Sequence, residues 1–311
     1  MRKNKETMRK NTIYSLLLAG VTVFGAASCS EDDLSSESVI TADIVDRTPF
    51  DDWLDVNYVQ PFNIVVKYRY EYNESDENYY TVPAQYDQAV EMAHIVKYSC
   101  IDAYIETAGL EFTCKYFPKL FYLEGEFHYR NNNTFELGTA EGGRKITLMG
   151  VNYIDRFKNN IDDLNTYYLK TIHHEFSHIL HQTYEYPSSF QLITPGYLAD
   201  KWSNPEFSTD YLQRGFITNY SQNSHREDFA EMLSTYLTNT KEQWDAWMDE
   251  ADGTPDEPAE GRGLIEQKLD IVRNYMQETW NIDIDELRES ILRREHHIVD
   301  GKVDLTDLSV N

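Results

Sequence analysis

The chain has 311 residues, with 28 lysine and arginine residues against 53 aspartate and glutamate residues, a formal net charge of −25. A surface this acidic repels nucleic acids and anionic lipid head groups, so neither is an expected partner. The length suffices for one large domain or two modest ones.

The first 28 residues predict a secretory signal. Basic residues occupy positions 2, 3, 5, 9 and 10. Residues 13–28 follow as a nearly uncharged run of about sixteen residues, which is short for a membrane span and typical of an export signal. Met8 repeats the start of the chain, Met-Arg-Lys, so translation could also begin there. No later stretch is apolar enough to predict a membrane-spanning segment.

The signal ends in small residues before a cysteine, Ala26-Ala27-Ser28-Cys29. This run resembles a bacterial lipobox, after which Cys29 becomes the lipidated first residue, although an ordinary cysteine of the apolar region is the alternative. The next four residues, SEDD, resemble the acidic export signal of Bacteroidota surface lipoproteins. We therefore predict an outer-membrane lipoprotein on the cell-surface or periplasmic face, held by acyl chains and followed by an acidic tether over 29–58.

The rest of the chain predicts an α+β fold with a small mixed sheet and a helical C-terminal half, in one domain over 59–300. The predicted strands are 62–70, 112–122, 135–137 and 145–151, with a turn at 141–143. The predicted helices outside the site are 84–108, 263–280 and 284–297, with a surface loop at 249–262 and a tail at 301–311. Export would permit a disulfide between Cys100 and Cys114, but both lie in apolar segments and could equally be small buried side chains.

One helix carries the motif H-E-x-x-H, in residues 174–178. Asn160 is the predicted N-cap, and apolar residues then recur at three- and four-residue spacing. Side chains four positions apart lie one above the other on a helix, so His174 and His178 can share one metal ion. Glu175 is placed to take a proton from the attacking water. The alternative is a solvated helix face that happens to carry histidines.

Two further histidines flank the motif. His181 lies on the same face as His174, but about 10 Å along the helix axis, which is too far for both to bind one ion. We expect His181 to line the wall of the cleft. His173 is expected to be a packed residue or one that supports a ligand.

A second predicted helix supplies the candidate third ligand. Glu227 and Glu231 are one turn apart, on a face beside the apolar stripe of the same segment. In this interpretation Glu227 binds the ion and Glu231 accepts the second ring proton of His174. The competing interpretation is a capping box from Ser224, in which the side chain of Glu227 returns to the cap backbone.

Taken together, H-E-x-x-H, E-x-x-A-E over 227–231 and a tyrosine seven residues before Glu227 resemble the gluzincins, zinc peptidases with two histidine ligands and one glutamate. The arrangement is most similar to the catalytic domain of anthrax lethal factor. The lipoprotein start, HHEFSHILHQ and REDFAEM resemble the zinc-binding metallopeptidase lipoproteins of Bacteroidota, the substrate import-associated zinc metallohydrolase group. This resemblance covers mainly 60–300. It implies a zincin-like fold, Glu227 as a zinc ligand and Tyr220 as the group that stabilises the tetrahedral intermediate. By the same analogy, strand 145–151 would edge the cleft and pair with extended substrate.

These patterns predict a lipid-anchored metallopeptidase with one Zn²⁺ that acts on peptides or proteins outside the cytoplasm. The resemblance also implies an outer-membrane nutrient import receptor as a partner. The alternative is a surface lipoprotein that captures peptide or glycan and whose zinc is structural or vestigial. Hydrolysis of a non-peptide amide would use the same zinc chemistry. The intact set of Glu175, Tyr220 and the ligands favours the enzyme, because a binding protein would need neither Glu175 nor Tyr220.

Overall fold

The computed structural model describes residues 46–129, 135–141 and 144–310, which form helices around a four-stranded sheet, with a separate two-stranded sheet. The strands are β1 (Val65–Lys67), β2 (Leu120–Leu123), β3 (His128–Tyr129), β4 (Phe135–Glu136), β5 (Gly138–Glu141) and β6 (Lys145–Leu148), of which β3 and β4 pair in the two-stranded sheet. The helices are α1 (Pro49–Leu54), α2 (86–108), α3 (Leu110–Tyr116), α4 (Ile154–Phe157), α5 (161–183), α6 (Phe190–Ile193), α7 (His225–Thr238), α8 (Lys241–Ala251), α9 (Gly261–Trp280) and α10 (Ile284–Val299). Within the described ranges, no helix is both long and apolar enough to cross a membrane. The predicted α+β class is confirmed.

The main sheet has the strand order β1-β2-β6-β5. Strands β1, β2 and β6 run parallel, and β5 pairs antiparallel with β6. All four residues of β6 are buried, as expected for a strand covered on both faces. The prediction that strand 145–151 pairs with extended substrate at the edge of the cleft is therefore wrong, since β6 already pairs with β2 on one side and β5 on the other, and β5 is the edge strand. Strand β6 ends at Leu148 because Gly150 adopts a left-handed conformation (φ 71°) before the chain turns helical at Val151.

The segment predicted as strand 112–122 is mostly helical. Helix α3 covers Leu110–Tyr116, and β2 begins only at Leu120. Phe112 and Tyr116, one turn apart, both contact the ring of Trp280, with centroid distances of 5.7 and 4.8 Å. This aromatic contact across one turn is available only to a helix, so tertiary packing decides the conformation of a run that sequence alone assigns to a strand.

The folded unit begins before residue 59, which corrects the predicted tether. Residues 47–311 form one unit. Thr48 caps α1 through a capping box, and Phe50, Trp53 and Tyr58 are buried in the core. The C-terminal tail is also folded onto the core, where the backbone carbonyl of Asp307 lies 3.0 Å from Nε2 of His94.

Several predicted helices agree with the structure. Helix α2 spans 86–108 with a π-helical turn at Val96–Ile101, and helices α9 and α10 match the two predicted at the C-terminus. Cys100 and Cys114 are not bonded to each other. Cys100 is fully buried, and burial raises the pKa of its thiol to about 12. Residues 142–143 of the predicted turn and Cys29 lie outside the described residues.

Candidate metal centre

One face of helix α5 is apolar and packs into the core, and the opposite face carries the histidines. The side chain of Asn160 accepts a hydrogen bond from the backbone N–H of Asp163 at 3.0 Å, which confirms the predicted N-cap. The core side is fully buried, with 0% exposure at Leu164, Tyr168 and Phe176. A π-helical turn at Asn165–Leu169 precedes Lys170–Thr183, the α-helical part that carries the motif.

The edge strand lies directly against this helix. A Cβ atom placed on Gly138 of β5 would come within 2.7 Å of Cγ2 of Thr171 and within 2.6 Å of the carbonyl oxygen of Thr147. Only glycine permits this approach between β5 and α5. The edge strand β5 therefore packs closely against the histidine-bearing helix.

The structure brings together His174, His178 and Glu227. Nε2 of His174 lies 3.1 Å from Nε2 of His178 and 3.1 Å from Oε2 of Glu227, and Nε2 of His178 lies 3.3 Å from the same oxygen. In a tetrahedral zinc site with bonds of about 2.0–2.1 Å, neighbouring donor atoms are about 3.3 Å apart. The spacing and chemistry of this donor set therefore fit one zinc ion.

The ring nitrogens that face away from this point are also engaged. Nδ1 of His174 lies 2.8 Å from Oε1 of Glu231, so the proton of this ring belongs on Nδ1. Nδ1 of His178 lies 2.8 Å from Nε2 of His181. These contacts leave the lone pairs of both Nε2 atoms directed at the oxygen of Glu227. Converging lone pairs and a carboxylate repel one another unless a cation lies between them.

The electrostatics of the centre favour positive charge. Burial alone would lower the pKa of His174, but its hydrogen bonds to Glu227 and Glu231 outweigh burial and raise that pKa to about 10. For Glu227, burial opposes ionisation, yet the two imidazoles hold the pKa of the carboxyl well below its usual range. Both carboxylates are therefore ionised around the imidazoles, and a metal cation can supply the charge that they stabilise.

Glu231 is held by three donors. Besides His174, it receives hydrogen bonds from Nζ of Lys170 at 2.7 Å and from Oγ1 of Thr218 at 2.6 Å. Sequence reasoning missed both donors. Lys170 had a detectable signal, because it lies one turn before His174 on the same helix face. Thr218 lies in a loop and had none.

The backbone of Glu227 takes part in the helix cap, whereas its side chain takes part in the metal centre. Ser224 caps α7, with its hydroxyl accepting a hydrogen bond from the backbone N–H of Glu227 at 3.4 Å. The carboxylate of Glu227 contacts His174 and His178 instead of returning to the cap backbone. The cap is therefore present, while the side chain faces the metal centre.

His181 and His173 have different roles. His181 is 1% exposed and supports the ring of His178, so the expectation that it lines the cleft wall is wrong. His173 is packed, as predicted, with Nδ1 3.2 Å from the hydroxyl of Tyr104. Burial lowers the pKa of His173 to about 3, so its ring is neutral.

Two further predicted residues lie at the centre. Glu175 is half-buried beside the two histidines on α5. The ring of Tyr220 lies 6.0 Å from that of His174, and its hydroxyl lies within electrostatic reach of Glu227. Burial first, and then the charge of Glu227, raises the pKa of Tyr220 well above its usual value, so the phenol keeps its proton. Trp202, which sequence reasoning did not select, packs against Tyr220 edge to face at 4.9 Å.

Comparisons with known proteins agree with this site. Residues 43–285 match the profile of the family described as "Putative zinc-binding metallo-peptidase". The chain belongs to this zinc-binding metallopeptidase family. It is also similar to a solved structure described as "a putative zinc-binding metallo-peptidase from Bacteroides caccae ATCC 43185", with 37% identity and a TM-score of 0.71. That alignment covers 86% of this chain and 100% of the other. The comparison with curated proteins gave no match. The family predicted from the motifs is thereby confirmed.

Proposed function

We propose that this protein is a zinc-dependent peptidase in which His174, His178 and Glu227 hold the ion. The observation that carries the proposal is the convergence of three donor atoms at 3.1–3.3 Å, with the second nitrogen of each ring already engaged. When bound, zinc polarises the substrate carbonyl and makes water more acidic. The remaining steps belong to side chains of this chain.

Glu175 is the proposed general base. Glu175 directly follows His174 on α5 and is half-buried, and its charge acts on both His174 and Tyr220, which supports this role. It takes a proton from the attacking water and then transfers it to the leaving amine. A carboxylate suits both steps because it can accept and return one proton without leaving its position.

Tyr220 is the proposed donor to the oxyanion. A phenol that keeps its proton can donate a hydrogen bond where negative charge develops on the carbonyl oxygen. Its proximity to Glu227 and the raised pKa of its hydroxyl support this role. Trp202 packs on one edge of the ring and limits its movement.

Strand β5 is the proposed docking edge for the substrate backbone. It is the outermost strand of the sheet beside the metal helix, and in the described part of the chain no strand pairs with its other side. An extended peptide can add to such an edge through main-chain hydrogen bonds. This assignment replaces the predicted strand 145–151 as the substrate edge.

We further propose that the protein acts outside the cytoplasm as a lipoprotein anchored through Cys29, on the cell-surface or periplasmic face of the outer membrane. The lipobox-like run and the acidic residues after it support this location. A link to an outer-membrane import receptor remains part of the proposal and is supported by the family resemblance alone.

The test combines metal analysis with peptide digestion. The purified chain is expected to contain one zinc ion and to cleave members of a peptide library, with cleavage lost on chelation and restored by zinc. Glu175→Gln should retain zinc and lose cleavage. A zinc-loaded protein that binds library peptides without cleaving any would favour the capture lipoprotein instead. Loss of zinc together with cleavage in Glu175→Gln would contradict the role given to Glu175.

A further inference from the structure

A second candidate binding site lies behind the segment that carries Tyr220. It is a cavity of about 450 Å³, a size typical of small-ligand sites. Its apolar wall consists of Ile193, Leu198, Phe207, Phe216 and Leu264. A cavity with this lining accepts an apolar group of moderate size.

The cavity and the metal centre lie on different sides of one short 3₁₀ helix, Tyr220–Gln222. Gln222 lines the cavity, whereas the ring of Tyr220 lies 6.0 Å from that of His174 at the metal centre. In a 3₁₀ helix, residues two positions apart point about 120° away from each other. Gln222 is fixed in place, because its backbone carbonyl accepts a hydrogen bond from the N–H of Leu198 at 2.7 Å. The cavity is therefore a site of its own.

Arg214 supplies the charge of this cavity. Its Nη2 donates to the side-chain oxygen of Gln222 at 2.6 Å and to the carbonyl oxygen of Phe207 at 3.1 Å. Both acceptors are neutral. Among the residues that the structure describes, no carboxylate forms an ion pair with Arg214, and both of its side-chain hydrogen bonds leave from Nη2, so Nη1 and Nε donate to none of them. In a chain with 53 acidic residues, an arginine held by neutral groups keeps its charge and its fork of N–H donors for a ligand.

We propose that this cavity binds an apolar amino-acid residue that bears a free α-carboxylate. Arg214 holds the carboxylate through two parallel N–H bonds, and the apolar wall receives the side chain. Glu206, the other charged residue of the lining, is exposed and accepts from the nitrogen of the ligand. A free amino acid and the last residue of a peptide share this chemistry. They differ in whether that nitrogen is an ammonium or an amide.

Gly196 offers a direct way to close the cavity. It lines the cavity, and a Cβ added to it would meet no atom within 4 Å. Gly196→Leu therefore adds a bulky side chain to the lining of the cavity, and its Cβ meets no clash that would displace the backbone. Gly263→Leu is the matched control, because the same substitution on exposed α9 also meets no atom within 4 Å.

The experiment is calorimetric titration of the zinc-loaded protein with L-leucine, N-acetyl-L-leucine and L-leucinamide. At least one of the two carboxylates is expected to bind, and leucinamide to bind roughly tenfold more weakly or worse, since it lacks the charge that Arg214 recognises. Binding of leucine alone identifies the free amino acid, and equal or stronger binding of N-acetyl-leucine identifies a peptide terminus. Failure of both carboxylates to bind would overturn the proposal.

The variants separate this cavity from the zinc ion, which also attracts carboxylates. Gly196→Leu should weaken binding by roughly tenfold or more, whereas Gly263→Leu should leave it unchanged. Arg214→Gln should abolish the preference for leucine over leucinamide. Binding that survives Gly196→Leu would place the ligand at the metal and refute the proposal, even if Arg214→Gln fails to fold. Zinc content and peptide cleavage, measured in parallel, report separately on the metal centre.

Discussion

Nζ of Lys170 lies 2.7 Å from Oε2 of Glu231, the carboxylate whose other oxygen holds Nδ1 of His174. A lysine on helix α5 thus fixes a carboxylate on the neighbouring helix α7, and that carboxylate orients His174, a proposed metal ligand one turn further along α5. These two contacts, from Lys170 to Glu231 and from Glu231 to His174, form a relay that joins α5 to α7 at the metal centre. It also balances part of the negative charge that Glu231 and Glu227 place there.

Removing Lys170 should weaken the fold at this junction. Lys170→Met leaves the buried carboxylate of Glu231 without its cation, and the loss of a charged hydrogen bond costs about 1.5–3 kcal/mol. We expect the free energy of unfolding, measured by urea denaturation of the zinc-loaded protein, to fall by about 2 kcal/mol. Lys241→Met, on an exposed ion pair with Asp245, is the control and should change it by less than about 0.5 kcal/mol. Equal losses in both variants would contradict the relay.

The two glutamates of α7 should affect zinc differently. Glu227→Ala removes a proposed ligand and should weaken zinc binding by more than about 100-fold, whereas Glu231→Gln, which only orients His174, should weaken it by about 10–100-fold. Competition with a chromogenic chelator measures both. Glu266→Gln, an exposed change on α9, should have no effect. If Glu231→Gln proved more damaging than Glu227→Ala, the assigned roles would be reversed.

His181 should matter for the metal without binding it. Nδ1 of His178 lies 2.8 Å from Nε2 of His181. If Nε2 of His178 binds the ion, the ring proton of His178 sits on Nδ1 and is donated to His181. His181→Phe keeps the ring volume and removes this acceptor, so zinc affinity should fall by about tenfold or more. His296→Phe, at the far end of α10, is the control. Unchanged affinity in His181→Phe would show that the contact does not fix the tautomer of His178.

Glu295 should make stability depend on pH. It is fully buried, and its carboxyl accepts a hydrogen bond from Asn165 at 3.0 Å. Burial, only partly offset by Asn165, raises its pKa to about 8. The native state therefore holds a proton that the unfolded state releases above its ordinary pKa, near 4.5. The stability conferred by this proton is complete below that value and is lost as pH rises towards 8.

Glu295→Gln should remove this dependence, because the amide is neutral at every pH. The variant should melt at a higher temperature than the native protein at pH 8.5, and the difference should shrink towards pH 5. Thermal unfolding of both proteins at matched zinc occupancy checks this. Glu289→Gln, an exposed change on the same helix, provides the comparison. A difference that grows towards low pH would reverse the assigned sign.

Local periodicity was enough to predict the helices that carry the site. The N-cap at Asn160 and the i, i+4 spacing of His174 and His178 are properties of one helix, and neighbouring elements do not alter them. Periodicity failed for 112–122, where an apolar run is compatible with either a strand or a helix. There the contacts of Phe112 and Tyr116 with Trp280, more than 160 residues away, decided for the helix.

The sequence by itself determined the family, the pair of histidines and the acidic segment that faces them, because each depends on residue types at short spacing. Only the tertiary structure decided that the carboxylate of Glu227 meets both imidazoles, that Lys170 and Thr218 hold Glu231, and that β5 is the edge of the sheet. The physical reason is the distance along the chain over which each determining interaction acts. Helix faces follow from the 3.6-residue repeat of the backbone, whereas strand order and the packing of α5 on α7 depend on burial shared between segments far apart in the chain.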